Sequence, residues 1–421
     1  MAKKILAIIL VNVFILNYGF SFSQGILTLD PLLKEAIQNN PDILAAKNRW
    51  EAAKARIPQA KSLEDPTVGF TFEKARGSPF QLNKTMSEDR MLSVNQAIPW
   101  FGKLSLKGKI ALVESQMIAG EYKNKELRII NEVKHAYNDL FMNYREIELK
   151  QWSLEFLKQA AESAEAKYTV GDIEQEGLFK INLEIAELDN DIRNLEQERG
   201  SIETRLNSLL NRKPDFALGI PELREDFSFN KDSDSLYRLA LENQPELLIF
   251  SYAIEKNKYA KNLAKKSFLP DIMTGVVMRG ITTGTIGPWD LMLALSVPLW
   301  FWTKQRYEIK EAIANLEEAQ AAYLAMENRA IAETKELATK VKIAQNKINL
   351  YKTSQIPLLE ASIKATRSAY LSGKGDIMML LDTERMLVKT KIDYYRELVE
   401  YYENLADLER AVGVDLSEVE K

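Results

Sequence analysis

Enzymes and metal proteins gather a nucleophile, a base or a ligand set, and this chain offers little of each. His135 is the sole histidine and there is no cysteine. One imidazole without thiolates falls short of the three or four ligands of a zinc site. The missing thiol excludes disulfides and a cysteine nucleophile. No nucleophile elbow, phosphate-binding glycine loop or zinc motif is present. Carboxylates are numerous, but on long charged stretches they serve as solvated faces or i,i+4 partners. No catalytic residue, metal site or cofactor is therefore assigned. What stands out instead are two turns, Tyr168-Thr169-Val170-Gly171 and Tyr370-Leu371-Ser372-Gly373. Glycine permits the left-handed conformation that ends a helix, and exposed turns on a rigid scaffold are common binding surfaces. Tyr168, Gly171 and Asp172, with Tyr370, Gly373 and Asp376, are the candidate contact residues; plain hairpin turns are the alternative.

These turns belong to a duplicated plan. Asn39-Asn40-Pro41-Asp42-Ile43-Leu44 returns as Asn243-Gln244-Pro245-Glu246-Leu247-Leu248, Pro66 as Pro270, and Pro99-Trp100-Phe101 as Pro298-Leu299-Trp300-Phe301. The landmarks recur in one order about 200 positions apart, far beyond the roughly 20–50 residues of a solenoid unit. The chain reads as an internal two-fold repeat, over 27–215 and 230–415.

Each repeat opens with a short helix, over 32–39 in the first, and a second from Pro41 to about 62. Asp65-Pro66 marks its end, because the residue before proline is pushed out of helical space. The apolar period then changes from near 3.6 to 2. Val68, Phe70 and Phe72 alternate with Thr67, Gly69, Thr71 and Glu73, and a polar loop over 76–88 leads to a second strand over 90–98. In the second repeat Trp289, Leu291, Leu293, Leu295 and Val297 alternate with Asp290, Met292, Ala294 and Ser296. Strand hairpins are thus expected at about 67–98 and 271–297. A strand of this pattern suits the ~9–11 residues that cross a membrane as part of a barrel. Trp100, Phe101, Trp289, Trp300, Phe301 and Trp302 lie at strand ends, where aromatic girdles meet the membrane interface. A soluble sandwich is the alternative.

Long helices follow. The stretch 104–168 has no proline and would extend about 100 Å at ~1.5 Å per residue. Its counterpart over 304–370 contains Pro357, where a kink is expected. Returning helices complete hairpins over about 104–211 and 304–412. One carries a heptad seam of Leu178, Ile181, Ile185, Leu188, Ile192, Leu195, Arg199, Ile202, Leu206 and Leu209. The other reads Leu380, Glu384, Leu387, Lys391, Tyr394, Leu398, Tyr401, Leu405, Leu408 and Val412, with two polar interruptions. Both spacings belong to coiled-coil packing.

The 421 residues carry 56 basic and 60 acidic side chains, a net charge of −4. That balance leaves no basic footprint for nucleic acid. Residues 1–23 read as a signal peptide: Lys3 and Lys4, an apolar run over 5–16, then Ser21-Phe22-Ser23. The run is shorter than the ~20 residues of a spanning helix. No lipid-anchoring cysteine follows it, and no later segment offers a spanning helix.

An open sheet edge cannot sit in lipid, and single-chain barrels begin at ~8 strands. Four strands per chain therefore require oligomerisation, as do long apolar helical seams. The fold class is mainly α with a small β part: a long α-helical coiled-coil barrel plus a composite transmembrane β-barrel. The chain resembles the TolC-type outer membrane efflux proteins over nearly all of its mature length. The resemblance rests on the Ala-rich N-P-[DE]-[IL]-L opening helix, the proline-flanked strand hairpin, the P-W-F-G-K turn at Pro99 to Lys103, and the paired Y-x-x-G turns. P-W-F-G-K is also reminiscent of the heavy-metal branch.

The resemblance implies a homotrimer in the outer membrane of a Gram-negative bacterium, with a 12-stranded barrel and a 12-helix tunnel across the periplasm. It implies that the Y-x-x-G turns meet a periplasmic adaptor serving an inner-membrane transporter. It further implies a pore constriction at Asp382, with Tyr370 in the same network; Met379 and Gly375 replace polar residues that family members can carry there. Three converging Asp382 carboxylates would favour cations. An exported coiled-coil scaffold without a pore is the competing reading, and a hydrolase on a helical scaffold a third, which lacks a site.

Overall fold

The computed structural model describes residues 25–72, 90–169, 175–223, 229–281 and 287–416. The leader at 1–23, the loop at 76–88, and Gly171 with Asp172 lie outside them. In order, the elements are β1 (Ile26–Leu27), α1 (Leu29–Asn39), α2 (Pro41–Lys61), β2 (Thr67–Phe72), β3 (Arg90–Ile98), α3 (Lys103–Thr169) and α4 (Gln175–Leu209). Then come β4 (Ile220–Pro221), α5 (Ser233–Asn243), α6 (Pro245–Lys266), β5 (Asp271–Arg279), β6 (Trp289–Ser296), α7 (Gln305–Leu350), α8 (Ile356–Leu371) and α9 (Ile377–Val412). They form two compact units, each drawing on both halves of the sequence.

The first unit takes residues 1–36, 132–228 and 344–403. Its helices pack along the expected seams: Ile181, Ile192 and Leu206 of α4 are buried, and so are Leu380, Leu387, Tyr394, Leu398 and Tyr401 of α9. Arg199, the charged member of the first seam, lies over the Tyr144 ring at 5.1 Å. Lys391, in the second, reaches out to Glu360 at 2.8 Å. β1 and β4 pair in parallel. The buried Tyr137 holds them: its hydroxyl lies 2.8 Å from the Leu27 carbonyl and 2.7 Å from that of Glu222, and accepts the Glu222 N–H at 3.0 Å.

The kink expected at Pro357 takes the form of a π turn at Tyr351–Gln355, where the Ile356 N–H bonds the Tyr351 carbonyl. Proline lacks an N–H and its ring crowds the carbonyl four residues earlier, so the helix widens by one residue before it. α3 runs through 67 residues without interruption.

The second unit takes 37–131, 229–343 and 404–421. Asn40 caps α2, its side chain accepting from the N–H groups of Asp42 and Ile43. This explains why asparagine stands before proline in the opening motif: the cap satisfies helical donors and proline tolerates the first turn. Gln244, at the corresponding place before Pro245, makes no such side-chain bond. The unit also contains one antiparallel four-stranded sheet, ordered β2-β3-β5-β6. Both strand hairpins thus enter a single sheet, joined in the middle by β3 and β5.

Candidate functional site

The sheet's register sorts its side chains onto two faces, because directly opposed residues point to the same side. Val68 opposes Val94, which opposes Val276, which opposes Leu291; Phe70, Leu92, Met278 and Trp289 form the next row. Ile98, Ile272 and Leu295 share that face. The reverse face carries Thr67, Gly69, Thr71, Ser93, Asn95, Gly275, Asp290 and Ser296. Arg279 pairs there with Asp290 at 2.7 Å. One face is therefore mainly apolar, broken by Arg90 and by the Gln96–Thr274 pair beside Leu293, and the other mixes small and polar residues with Met91, Met273, Val277 and Met292. Among the described residues nothing covers the edge strands on the mainly apolar face: Leu293, at the centre of β6, is 74% exposed, and Val68, Phe70, Leu291 and Leu295 are also exposed. Among the described residues β2 and β6 are open edges.

The aromatic residues expected at strand ends are there. Phe101, Trp300, Phe301 and Trp302 are exposed just beyond β3 and β6, and Trp289 starts β6 at its other end. Phe301 packs edge-on against Trp302 with centroids 5.0 Å apart, and Trp302 against Trp300 at 5.9 Å. Trp100 is half-buried and meets Phe101 at 5.9 Å.

The P-W-F-G-K turn hides a clamp that sequence reasoning missed. Asp271, the first residue of β5, accepts the Trp100 N–H at 2.7 Å and the Lys103 ammonium at 2.8 Å. Lys103 also donates to the Leu269 carbonyl at 3.0 Å, and Lys266 to that of Phe101 at 3.1 Å. The motif thus locks the start of α3 to the start of β5. Its signal was the pairing of P-W-F-G-K with Pro270-Asp271, visible only once the two stretches are known to be neighbours.

At the helical turn, Tyr168 is exposed near the end of α3. Tyr370 is not. It is 3% exposed, inside an apolar cluster of Leu157, Ala160, Ala164, Ile181, Ile377, Leu380 and Leu381. Read from sequence as a contact and constriction residue, its ring is instead interior, because the last turn of α8 points that position along the packed seam. Among the described residues its hydroxyl has no hydrogen-bond partner. Lys167 takes up the polar link: its ammonium donates to the Tyr370 carbonyl at 2.9 Å and sits 3.8 Å from the ring centroid. The chain then turns through Gly373 at φ +73. Asp376 is exposed and caps α9, accepting the Met378 N–H at 3.1 Å. A Cβ at Gly375 would come within 3.0 Å of the Ala369 backbone, so no larger residue fits without a shift.

Asp382 and Met379 are exposed on α9. Arg385 donates to Asp382 at 3.3 Å and to Glu184 of α4 at 3.0 Å. Two residues on from Asp382 and on the opposite side of α9, Glu384 is 1% exposed and accepts the Ser153 hydroxyl of α3 at 2.6 Å. Burial pushes its carboxyl up to about 7, assisted by Glu184 and opposed by the Ser153 bond and Arg385. His135 lies 3.5 Å from Glu403. Among the described residues no group of three or more His, Cys, Asp or Glu could hold a metal ion, and no helix is long and apolar enough to cross a membrane.

A mostly helical chain with one small antiparallel sheet has the fold of solved outer-membrane channel proteins. OprN, described as an outer-membrane channel, superposes with a TM-score of 0.78 at 17% identity, covering 91% of this chain and 89% of that one. The outer membrane protein VceC of Vibrio cholerae gives 0.76 at 17% identity, covering 92% and 96%. The chain belongs to the outer membrane efflux protein family, whose pattern it matches over residues 32–212 and again over 236–414. Among curated relatives, the cobalt-zinc-cadmium resistance protein CzcC of Cupriavidus metallidurans is 20% identical over 395 residues, 93% of this chain and 91% of that protein.

Proposed function

We propose that this outer membrane efflux protein works as a homotrimer, closing three four-stranded sheets into one 12-stranded barrel in the outer membrane of a Gram-negative bacterium. The helical hairpins of its two repeats, 27–215 and 230–415, extend it as a tunnel into the periplasm. Residues 1–23 direct export. The channel is a passive conduit without catalysis: an inner-membrane transporter supplies the energy, and a periplasmic adaptor joins the two. Tyr168, Gly171, Asp172, Gly373 and Asp376 offer the adaptor surface. Asp382 narrows the pore with a bias toward cations, weakened by Arg385. Trp100, Phe101, Trp289, Trp300, Phe301 and Trp302 form the interface girdles. Cargo is set by the transporter, and the likeness to a metal-resistance protein makes metal ions the first class to try.

The observation that carries this reading is the sheet: a mainly apolar face, uncovered among the described residues, backed by a more polar one, with open edges at β2 and β6. Neither edge can remain unpaired in lipid, and a coiled-coil scaffold has no use for such a face. The β3–β5 joint supplies the register for closure. Gln96 faces Thr274 there, and the repeat places Leu295 where Gln96 stands and Phe70 where Thr274 stands. Leu295 of one copy should therefore face Phe70 of the next, with Cβ atoms about 5 Å apart. The native chain has no cysteine, so a Phe70→Cys, Leu295→Cys variant tests this directly. Oxidation should yield a covalent trimer on denaturing gels, whereas Phe70→Cys with Leu291→Cys should remain monomeric. Monomer only, from a membrane-inserted protein, would overturn the closure.

A further inference from the structure

A carboxylate buried in a helical seam carries an inference beyond conduction. α9 packs against α3 and α4 through apolar residues, yet at its first polar interruption it places Glu384 at 1% exposure. Lys391, the second interruption, escapes to Glu360 on the surface. Glu384 does not escape: it bonds the equally buried Ser153 of α3. The pair adjoins a cavity of about 300 Å³.

The groups facing this cavity show why Glu384 has no ion-pair partner among the described residues. From α3 come Glu146 and Lys150, from α4 Glu184, and from α9 itself Arg385, Lys389, Asp393 and Arg396. Lys150 pairs with Asp191 at 2.7 Å, Arg385 with Glu184 and Asp382, and Arg396 with Asp393 at 2.7 Å. Lys389 is exposed. Leu188, Val388 and Ile392 supply apolar walls. A carboxylate in such a place is destabilised by desolvation without the compensation of an ion pair. Its neutral form keeps the Ser153 bond at no such cost.

The pair also sits where it matters. Leu380 and Leu381, one turn before Glu384, belong to the apolar cluster that encloses Tyr370, and so does Leu157, one turn after Ser153. We propose that Glu384 is a proton-binding site: with the proton bound, α9 is fastened to α3 at the tip cluster, and its release to water loosens the tip. In the loosened state the carboxylate is hydrated and the Ser153 bond is given up. The tip is then tighter in acid and looser above neutrality. A raised carboxyl value in the packed state means that stability is greatest below about 4.5, falls as pH rises, and has lost its full share above about 7. The role of the tip is taken from the reading above; the proton site itself is not.

Hydrogen exchange of the full-length protein in nanodiscs tests it. After correction for intrinsic rates, protection over 377–388 should fall about thirty-fold between pH 5.5 and 8.5, from a carboxyl moving between 4.5 and about 7. Glu384→Gln should stay protected at both pH values. Glu384→Met is a second non-titrating variant should the amide disturb folding. A change below two-fold in the native protein, or an equal change in both variants, overturns the site. Bilayer conductance, measured in parallel, judges the channel reading separately.

Discussion

Replacing Leu293 by arginine puts the membrane face to its sharpest test. Leu293 lies mid-strand in β6, opposite Thr274, and is 74% exposed on the uncovered apolar face. Arginine at the midplane of a barrel's lipid face costs about 2–4 kcal/mol. Three copies per barrel bring this to about 6–12 kcal/mol. Met292, next in the strand, opposes Gly275 on the polar face, so arginine there meets water at nearly the same depth. The assay is recovery of heat-modifiable oligomer from the outer-membrane fraction. Leu293→Arg should lose nearly all of it, while Met292→Arg keeps most of its oligomer and shows altered conductance. Equal recovery of the two, or their reversal, would refute the assignment of faces and with it the closed barrel.

Two further outcomes follow from the clamp and the tip. Lys103→Ala should lower the stability of the β3–β5 joint by about 1 kcal/mol per chain, a modest figure because the Asp271 carboxylate is half exposed; the heat at which the oligomer dissociates reads it, and an unchanged value would make the clamp decorative. Asp382→Ala should reduce cation preference in single-channel recordings on the order of two- to ten-fold, the lower figure reflecting neutralisation by Arg385; an unchanged preference would remove Asp382 from the constriction.

Periodicity made the elements legible. Alternation at 289–297 gave β6, the absence of proline gave α3, and the heptads gave the packed faces of α4 and α9. Pairings between distant stretches were not legible. Asp271 and Lys103 lie far apart in sequence, and nothing local to either announces the other. Tyr370 misled because its Y-x-x-G setting points to an exposed turn, whereas helical phase at the end of α8 turns the ring inward. Glu384 was visible as a break in a seam, but a break says only that the residue is polar. Whether such a side chain snorkels, as Lys391 does, or stays inside depends on reach, and a glutamate is short.

The uninterrupted α3 works as a gauge. At 3.6 residues per turn, one inserted residue rotates everything beyond it by about 100° and carries its apolar seam away from its partners. An insertion of seven residues comes nearly full circle, restoring the seam while adding about 10 Å. Helices of this kind can therefore change length in steps near seven, matched on the returning α4. The distance they span is graduated rather than continuously adjustable, and any protein that must meet both ends inherits the same scale.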